Sequence, residues 1–274
     1  MRVKTLTHIF LLYFFFSNNS AAQPHLAVWD TAVHLHRQAA EKAITYLAAP
    51  DSDMDWTISS VYSYLQRLYN LPPIQNPNHF LHKIDNSDDL LRTTGFRTLL
   101  QPDSPPNEAD LLHYQPNTLE YSMVQALGCK NMHPGERYLQ EISLLADFGS
   151  YELTHAYLIL QWLKEQQCAC VQLPYFTIVE QKILQQLLSF LHSPQNNWSD
   201  VYIEALALLC YSHGSYYIKP EWLQPILALQ QNNGGWLPVA GYEATSAHTT
   251  VLSLWVLLAY TSPPLNPQNW VMVK

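Results

Sequence analysis

Two apolar segments of this chain carry the same pair of residues at the same spacing. His155 stands seven residues before Trp162, and His248 stands seven residues before Trp255, each in an apolar run that follows a turn-like stretch. Seven residues of an α-helix bring the chain to within about 20° of two full turns and advance it by roughly 10 Å. Each pair therefore shares one stripe of a helix, with the Trp deeper than the His. The pattern predicts repeated helical hairpins with a histidine at the rim.

The layout of helix, polar turn and helix recurs along the chain. Asp200 lies 45 residues after His155 and 48 residues before His248, a period typical of arrays of helical pairs. The helices that follow the turns are apolar nearly all round, whereas those that precede them are amphipathic. We therefore predict an all-α fold with two concentric rings of helices. The predicted inner helices, which adjoin one another, span about 151–166, 199–212 and 246–260.

The first 22 residues have the anatomy of a secretory signal peptide. Arg2 and Lys4 precede an apolar core over 9–16, and small residues follow at Ser20, Ala21 and Ala22. Cleavage there predicts a secreted or periplasmic protein with one domain over 23–274. A membrane anchor that stays uncleaved is the alternative, although the core is short for a bilayer span.

The charge and the aromatic content of the chain limit its partners. The chain has 14 basic and 22 acidic residues, and Arg2 and Lys4 lie in the signal, so 12 basic residues remain and the mature net charge is −10. Nucleic acid and anionic lipid are therefore not expected as partners. Aromatic residues make up 12% of the chain and charged residues only 13%. This composition predicts a deep core and an aromatic-lined cavity.

Four cysteines permit two disulfide bonds in an exported protein, and the sequence leaves their pairing open. Cys168 and Cys170 are too close to bridge each other easily, so each is expected to have another partner or to stay free. A thiolate metal site is the alternative. We expect at least two of the cysteines to be oxidised.

The segment from Gln231 to Trp236 has the spacing Gln-x-x-Gly-x-Trp, and Ser246-Ala247-His248-Thr249 follows it. This motif resembles the repeat of the terpene cyclase and protein prenyltransferase superfamily, whose members fold as α/α toroids. The resemblance implies a complete or incomplete ring of about five helical hairpins. Asp51, Asp53 and Asp55 are also similar to the acid motif of class II terpene cyclases, but their spacing differs. Asp55 is instead predicted to cap a helix.

In the prenyltransferases of this superfamily, an Asp, a Cys and a His hold a zinc ion. His248 corresponds to that His, since it begins a helix in an analogous His-Thr pair. Asp200 is followed by Val201 and Tyr202, so the Asp-x-Cys element is missing. The resemblance therefore implies the toroid fold and not prenyl transfer.

Alignment of the repeated units places His155, Asp200 and His248 at one level, the N-terminal rim of three inner helices. Two imidazoles and a carboxylate suit zinc or another divalent metal and leave a position for water or substrate. The helix N-termini favour the neutral imidazoles that metals require. Glu204, one turn below Asp200, is a candidate general base. In the alternative interpretation, Asp200 caps its helix and the histidines bond loop carbonyls.

Further residues are expected around this rim. Asp147 and Glu243, in the turns above it, are candidate hydrogen-bond acceptors for the two imidazoles. Aromatic side chains below the rim are predicted to line a ligand cavity, although core packing alone also accounts for them. They are Trp162, Trp255, Tyr157, Tyr202 and Tyr242.

Two functions fit these expectations. The first is an exported hydrolase or lyase, metal-dependent or acting by acid and base, with His155, Asp200, His248 and Glu204 as its catalytic residues. The second is a non-catalytic toroid that binds a small molecule, a glycan, a peptide or a partner protein in its cavity. Stoichiometric zinc favours the first function, and a cavity with only apolar walls favours the second.

Overall fold

The computed structural model describes residues 24–49, 54–73, 94–100, 105–193, 198–239, 241–265 and 267–271. Within these ranges the chain forms helices joined by turns and isolated bridges, without a β-strand, so the prediction of an all-α fold is confirmed. The predicted signal peptide lies outside the described residues, as do Asp51 and Asp53.

The helices are numbered in chain order. Among the described residues, the α-helices up to Ala146 are α1 (Pro24–Leu47), α2 (Trp56–Tyr69), α3 (Glu108–Leu111), α4 (Leu119–Leu127), α5 (Cys129–Met132) and α6 (Glu136–Ala146). The others are α7 (Ser150–Glu165), α8 (Pro174–His192), α9 (Asp200–His213), α10 (Pro220–Leu229) and α11 (Ala247–Thr261). Three 3₁₀ helices accompany them within the described residues: η1 (Thr94–Leu99), η2 (Ala169–Gln172) and η3 (Gly214–Tyr217).

Side-chain caps define where several helices begin. Asp55 accepts a hydrogen bond from the Ile58 amide at 2.9 Å and caps α2, which confirms its predicted role. Ser199 caps α9 and Ser246 caps α11. The interpretation of Asp200 as the cap of α9 is therefore wrong. Because Ser199 takes that role, the Asp200 carboxylate is available for other partners.

Helices α7, α9 and α11 form the middle of the molecule. All but the ends of α9 and α11 are buried around the full helix, and α7 is buried from Leu153 to Leu163 except at His155. Helix α9 packs against both α7 and α11. These helices match the three segments predicted to be inner neighbours.

The row of buried helices continues on both sides. Helix α2 packs against α11, α4 packs against α7, and η1 packs against α4. Helices α6 and α8 pack against α7, whereas α1 packs against α11 and α10. Helix α8 buries one stripe, which includes Phe176, Ile183 and Leu187, and exposes its opposite face. The amphipathic pattern thus separates flanking helices from the row, as the sequence predicted.

One cysteine pair links two parts of this structure. The sulfur atoms of Cys129 and Cys168 lie at disulfide-bonding distance, with 6.0 Å between the Cα atoms. Cys170 and Cys210 are buried and free. The structure thus contains one of the two disulfide bonds that four cysteines permit. None of the described helices has the length and apolar character needed to span a membrane.

The glycine-rich turn before α11 packs directly on α1. Gly234 has a φ of +92°, and a Cβ there would overlap the carbonyl oxygen of Lys42. Gln230 extends the contact, since its side-chain amide donates to the Ala39 carbonyl at 2.8 Å. The turn ends at Trp236, which is fully buried and donates from its indole nitrogen to the Ile226 carbonyl at 2.7 Å. Glycine is required here by both the backbone conformation and the close approach.

A matched pair of glycine substitutions tests this packing. Gly241 has a φ of +89°, but a Cβ there would meet nothing within 4 Å. We expect Gly241→Ala to cost about 1 kcal/mol of unfolding free energy from backbone strain alone. Gly234→Ala should cost about 2 kcal/mol more, because the turn must also move away from α1. Urea denaturation measures both values, and equal losses would contradict the proposed contact with α1.

Candidate functional site

One cavity lies between the buried helices and contains about 500 Å³ of space, part of it open to solvent. His155 and Trp162 of α7 line it, as do His248 and Trp255 of α11. The prediction that each His and Trp share one stripe is therefore confirmed. Glu204 of α9 also lines the cavity. The remaining walls come from α2, η1, α4, Trp270 and one leucine each of α7, α9 and α11, and they are mostly apolar: Thr57, Ser60, Val61, Phe96, Leu99, Met123, Leu158, Leu208, Leu252 and Trp270.

Asp200 joins three helices at the polar end of this cavity. Its Oδ2 atom accepts a hydrogen bond from the Tyr151 hydroxyl of α7 at 2.7 Å and contacts His248 Nδ1 of α11 at the same distance. Its Oδ1 atom accepts a hydrogen bond from the Thr249 hydroxyl. Asp200 itself is only 7% exposed. A buried carboxylate with three donors is held in one position.

The charges of Asp200 and His248 stabilise each other. Burial alone would raise the pKa of Asp200, but the hydrogen bond and charge of His248, with the bonds from Thr249 and Tyr151, hold it below its ordinary value. Burial would likewise lower the pKa of His248. Asp200, together with the carboxyl groups of Glu204 and Asp55, outweighs burial and raises this pKa above its ordinary value.

The sequence predicted that the helix N-terminus favours a neutral imidazole. At His248 the direct hydrogen bond and the charge of Asp200 act in the opposite direction and raise the pKa of the ring. Since the Asp200 carboxylate is ionised, His248 Nδ1 carries a proton and donates it in this bond. When the imidazole is neutral, its Nε2 atom then holds the lone pair and can accept a proton.

Glu204 is a buried carboxyl group beside both histidines. It is 5% exposed, and its Oε1 atom lies 3.4 Å from His155 Nδ1. Its Oε2 atom is buried without a hydrogen-bond partner among the described residues. Burial raises the pKa of Glu204, and the charges of His155 and His248 offset this only in part. Glu204 is therefore suited to hold a proton at a pH where an exposed glutamate is ionised.

His155 contacts the site through Glu204 and not through Asp200. Its Nδ1 atom lies 2.8 Å from the Tyr151 carbonyl, one turn earlier in α7, and this is its shortest polar contact. Tyr151 connects the two halves of the site, because its hydroxyl donates to Asp200. The structure thus brings Asp200 and His248 into direct contact and places His155 against Glu204.

The other predicted ligand residues divide into two groups. Trp162 and Trp255 line the cavity, as predicted. Tyr157 and Tyr202 are buried elsewhere: the hydroxyl of Tyr157 donates to Ser212 at 2.9 Å, and that of Tyr202 donates to the Trp222 carbonyl at 3.2 Å. Each is two residues, or about 200° of helix, from a cavity residue, so it faces away. Tyr242 lies in the turn before α11 and is 63% exposed.

The two predicted acceptors of the imidazoles also lie elsewhere. Asp147 ends α6 and bonds across to α8, with the Lys182 ammonium and the Gln186 amide each at 2.8 Å. Glu243 is exposed in the turn that precedes α11. The acceptors that the histidines contact are instead Asp200 and the Tyr151 carbonyl.

The described residues contain no group of three or more His, Cys, Asp or Glu side chains arranged to hold a metal ion. Both oxygen atoms of Asp200 already accept hydrogen bonds, and one nitrogen atom of each histidine is engaged. Asp200 therefore acts here as a partner that orients His248. The zinc site of the sequence analysis stays a prediction for metal analysis to test.

Sequence reasoning did not identify three residues of this region. Tyr151 stands four residues before His155, so the helical period places both on one face of α7. Thr249 follows His248 directly, and its hydroxyl reaches Asp200. Trp270 lies in a proline-rich segment that has no periodic pattern. The first two were accessible to a search for polar neighbours of the histidines, whereas Trp270 had no such signal.

Comparisons with family models, with curated proteins and with solved structures gave no match for this chain. The resemblance to the terpene cyclase and protein prenyltransferase superfamily accordingly stays a prediction.

The raised pKa of His248 can be measured directly by NMR titration of the histidine ring protons. In the wild-type protein we expect it to lie above the ordinary value of 6.5. Asp200→Asn should lower it by about one to three units, because burial remains while the charge is lost. Asp147→Asn, which removes an exposed carboxylate bonded to α8, should leave it unchanged. Equal values in the wild type and in Asp200→Asn would contradict the pairing.

The buried Glu204 should also affect stability in a pH-dependent way. A carboxyl group whose pKa is raised by folding destabilises the folded state as pH rises above its unfolded-state pKa, here about 4.5. Glu204→Gln removes this titration. The unfolding free energy of the variant relative to the wild type should therefore increase from pH 4.5 to pH 7.5 in urea denaturation. If the difference in unfolding free energy between Glu204→Gln and the wild type does not change between pH 4.5 and pH 7.5, the raised pKa of Glu204 is contradicted.

Proposed function

We propose that this chain is an exported α/α-toroid hydrolase whose reaction takes place between His248 and Glu204. The order of helix contacts supports the toroid, since η1, α4, α7, α9, α11 and α2 follow one another and all line one cavity. The flanking helices α1, α6 and α8 supply an outer layer. The apolar segment at 9–16 supports export.

The paired side chains of Asp200 and His248 carry the proposal. Asp200 fixes the tautomer and the orientation of the imidazole, as a carboxylate does when it bonds the second ring nitrogen of a histidine general base. Tyr151 and Thr249 in turn fix Asp200. His248 Nε2 then accepts a proton from the attacking water, and Asp200 stabilises the imidazolium that forms.

Glu204 supplies the acid. Because burial keeps it protonated beyond the range of an exposed carboxyl group, it donates a proton to the leaving group as the scissile bond breaks. The step leaves a protonated His248 and an ionised Glu204, which attract each other. Transfer of the proton from His248 back to Glu204 restores both groups. In a lyase, His248 would instead remove a proton from the substrate carbon, and Glu204 would act in the same way.

The walls of the cavity define the rest of the substrate. Trp162 and Trp255, with leucines one turn away from the catalytic groups, offer an apolar and aromatic surface. The substrate therefore has a polar, hydrolysable group at the histidine end and an apolar or flat-faced body below it. The net acidity of the chain disfavours a polyanionic body.

A non-catalytic toroid is the second candidate. The observation that favours it is the apolar character of most cavity walls, which suits retention of a ligand as well as its conversion. In that case Glu204 and the histidines would supply hydrogen bonds to a single polar group of the ligand. The two candidates differ in one measurable property, because only the hydrolase converts a bound substrate into product.

The test uses p-nitrophenyl esters and p-nitrophenyl glycosides, because release of p-nitrophenol reports cleavage of either bond. We expect the wild-type protein to cleave one of the two series. His248→Gln and Glu204→Gln should each lower kcat by about 10²–10⁴-fold, the usual contribution of a general base or acid. Asp200→Asn should lower kcat and move the acid limb of the pH profile to lower pH, since it lowers the pKa of His248.

His192→Gln is the matched control. His192 is an exposed histidine of α8 that bonds Lys219 and lies outside the cavity, so its replacement should not change kcat. Metal analysis of the same samples tests the zinc prediction. If neither series is cleaved but the cavity binds apolar probes, the non-catalytic toroid is supported instead.

A further inference from the structure

Trp270 is buried, although the segment 267–271 to which it belongs is not helical. Trp270 is 4% exposed and Val271 is 1% exposed, although the segment is an irregular coil. Ordering such a segment costs conformational entropy, which the contacts of the buried side chains have to offset. Trp270 is also one of the residues that line the cavity.

Charged and polar groups fix the backbone of this segment. The Glu165 carboxylate accepts hydrogen bonds from the amides of Trp270 at 2.9 Å and Val271 at 3.0 Å, one at each oxygen atom. Arg67 of α2 donates to the Trp270 carbonyl at 3.2 Å, and the Asn269 amide donates to the Glu165 carbonyl at 3.3 Å. The segment is thereby tied to two helices at once.

These anchors lie at the end of the cavity opposite the catalytic groups. Glu165 is the last residue of α7 and follows His155 by ten residues, or about 15 Å of helix. The Trp270 ring contacts Trp162 and Trp255, with centroids 5.7 and 5.5 Å apart. Since both of these tryptophans lie about two turns below a rim histidine, Trp270 lies at the deep end.

Tyrosines on the neighbouring helices hold the ring itself. Tyr64 stacks against Trp270 at 5.6 Å with 14° between the ring planes, and Tyr211 meets it edge-on at 5.8 Å. Aromatic pairs at these distances stabilise each other beyond simple burial. The position of Trp270 is therefore defined by four aromatic neighbours as well as by its backbone bonds.

We propose that Trp270 is the floor of the cavity and sets the maximum length of the apolar body that the cavity accepts. The inference rests on the cavity of the proposed function as a ligand site, but not on the proposed reaction. The ligand class is a neutral apolar chain with a polar head group, which the His155, Glu204 and His248 end receives. Removal of the indole should extend the cavity between Tyr64, Trp162 and Trp255.

Linear 1-alkanols from butanol to decanol are suitable probes, with affinity measured by isothermal titration calorimetry. Each methylene that enters the cavity should raise the affinity about fourfold, from roughly 0.8 kcal/mol per buried group. In the wild-type protein the gain should stop at one chain length. In Trp270→Ala the fourfold gain per methylene should continue beyond the wild-type limit. In Trp270→Leu the gain should also continue beyond that limit, but for fewer carbons than in Trp270→Ala.

Trp222→Ala is the matched control, because Trp222 is as buried as Trp270 but packs against His192 outside the cavity. It should lose stability without any change in the limiting chain length. Trp270→Leu keeps an apolar side chain at this position, so it can be tested if the alanine variant does not fold.

If the limiting alkanol length is the same in the Trp270 variants as in the wild type, the inference is overturned while the proposed reaction stays intact. Absence of alkanol binding in the wild type would overturn both the inference and the ligand site, whereas loss of hydrolysis alone would not affect the inference.

Discussion

The carboxylate of Asp200 is the interaction on which the rest of the site depends. It begins α9 and bonds Tyr151 of α7 and both His248 and Thr249 of α11, so it joins three buried helices. A buried carboxylate is stable only when donors surround it, and each donor here comes from a helix that also lines the cavity. The geometry of the histidine end of the cavity and the packing of the helices are therefore specified by the same bonds. Loss of this one charge would disturb both.

Glu204 stands in contrast to Asp200, although it lies one turn away in the same helix. Asp200 has three donors and a lowered pKa. Glu204 has a hydrogen bond with Thr154, a 3.4 Å contact to His155, an Oε2 atom without a partner among the described residues, and a raised pKa. Two neighbouring carboxyl groups of one helix thus have pKa values displaced in opposite directions, which fits the proposed roles of an ionised partner for His248 and a protonated acid. The unpaired oxygen atom lowers stability, and such a cost is typical of functional sites.

The sequence was sufficient to predict the helices and the shared stripe of each His and Trp, because both depend on local periodicity. His155, Asp200 and His248 were singled out because their positions after the turns repeat, and Glu204 because it lies one helical turn below Asp200. The partners within the site were not predicted correctly in every case. Whether His155 lies against Glu204 or Asp200 depends on the rotation of α7 against α9, and no local pattern encodes that rotation. Tyr157 and Tyr202 show the same limit, because an all-round apolar helix gives no sign of which face meets the cavity.

Both ends of the cavity are fixed by carboxylates, but in different ways. At the histidine end, the lowered pKa of Asp200 favours its ionised form, and this carboxylate holds side chains of two neighbouring helices. At the deep end, Glu165 holds backbone amides of an irregular segment, and burial raises its pKa despite those bonds. A ligand of the proposed kind would meet walls that are already positioned, so little binding energy would be spent on ordering the protein. Such preorganisation would also suit the proposed reaction, because His248 and Glu204 would need no rearrangement before they act.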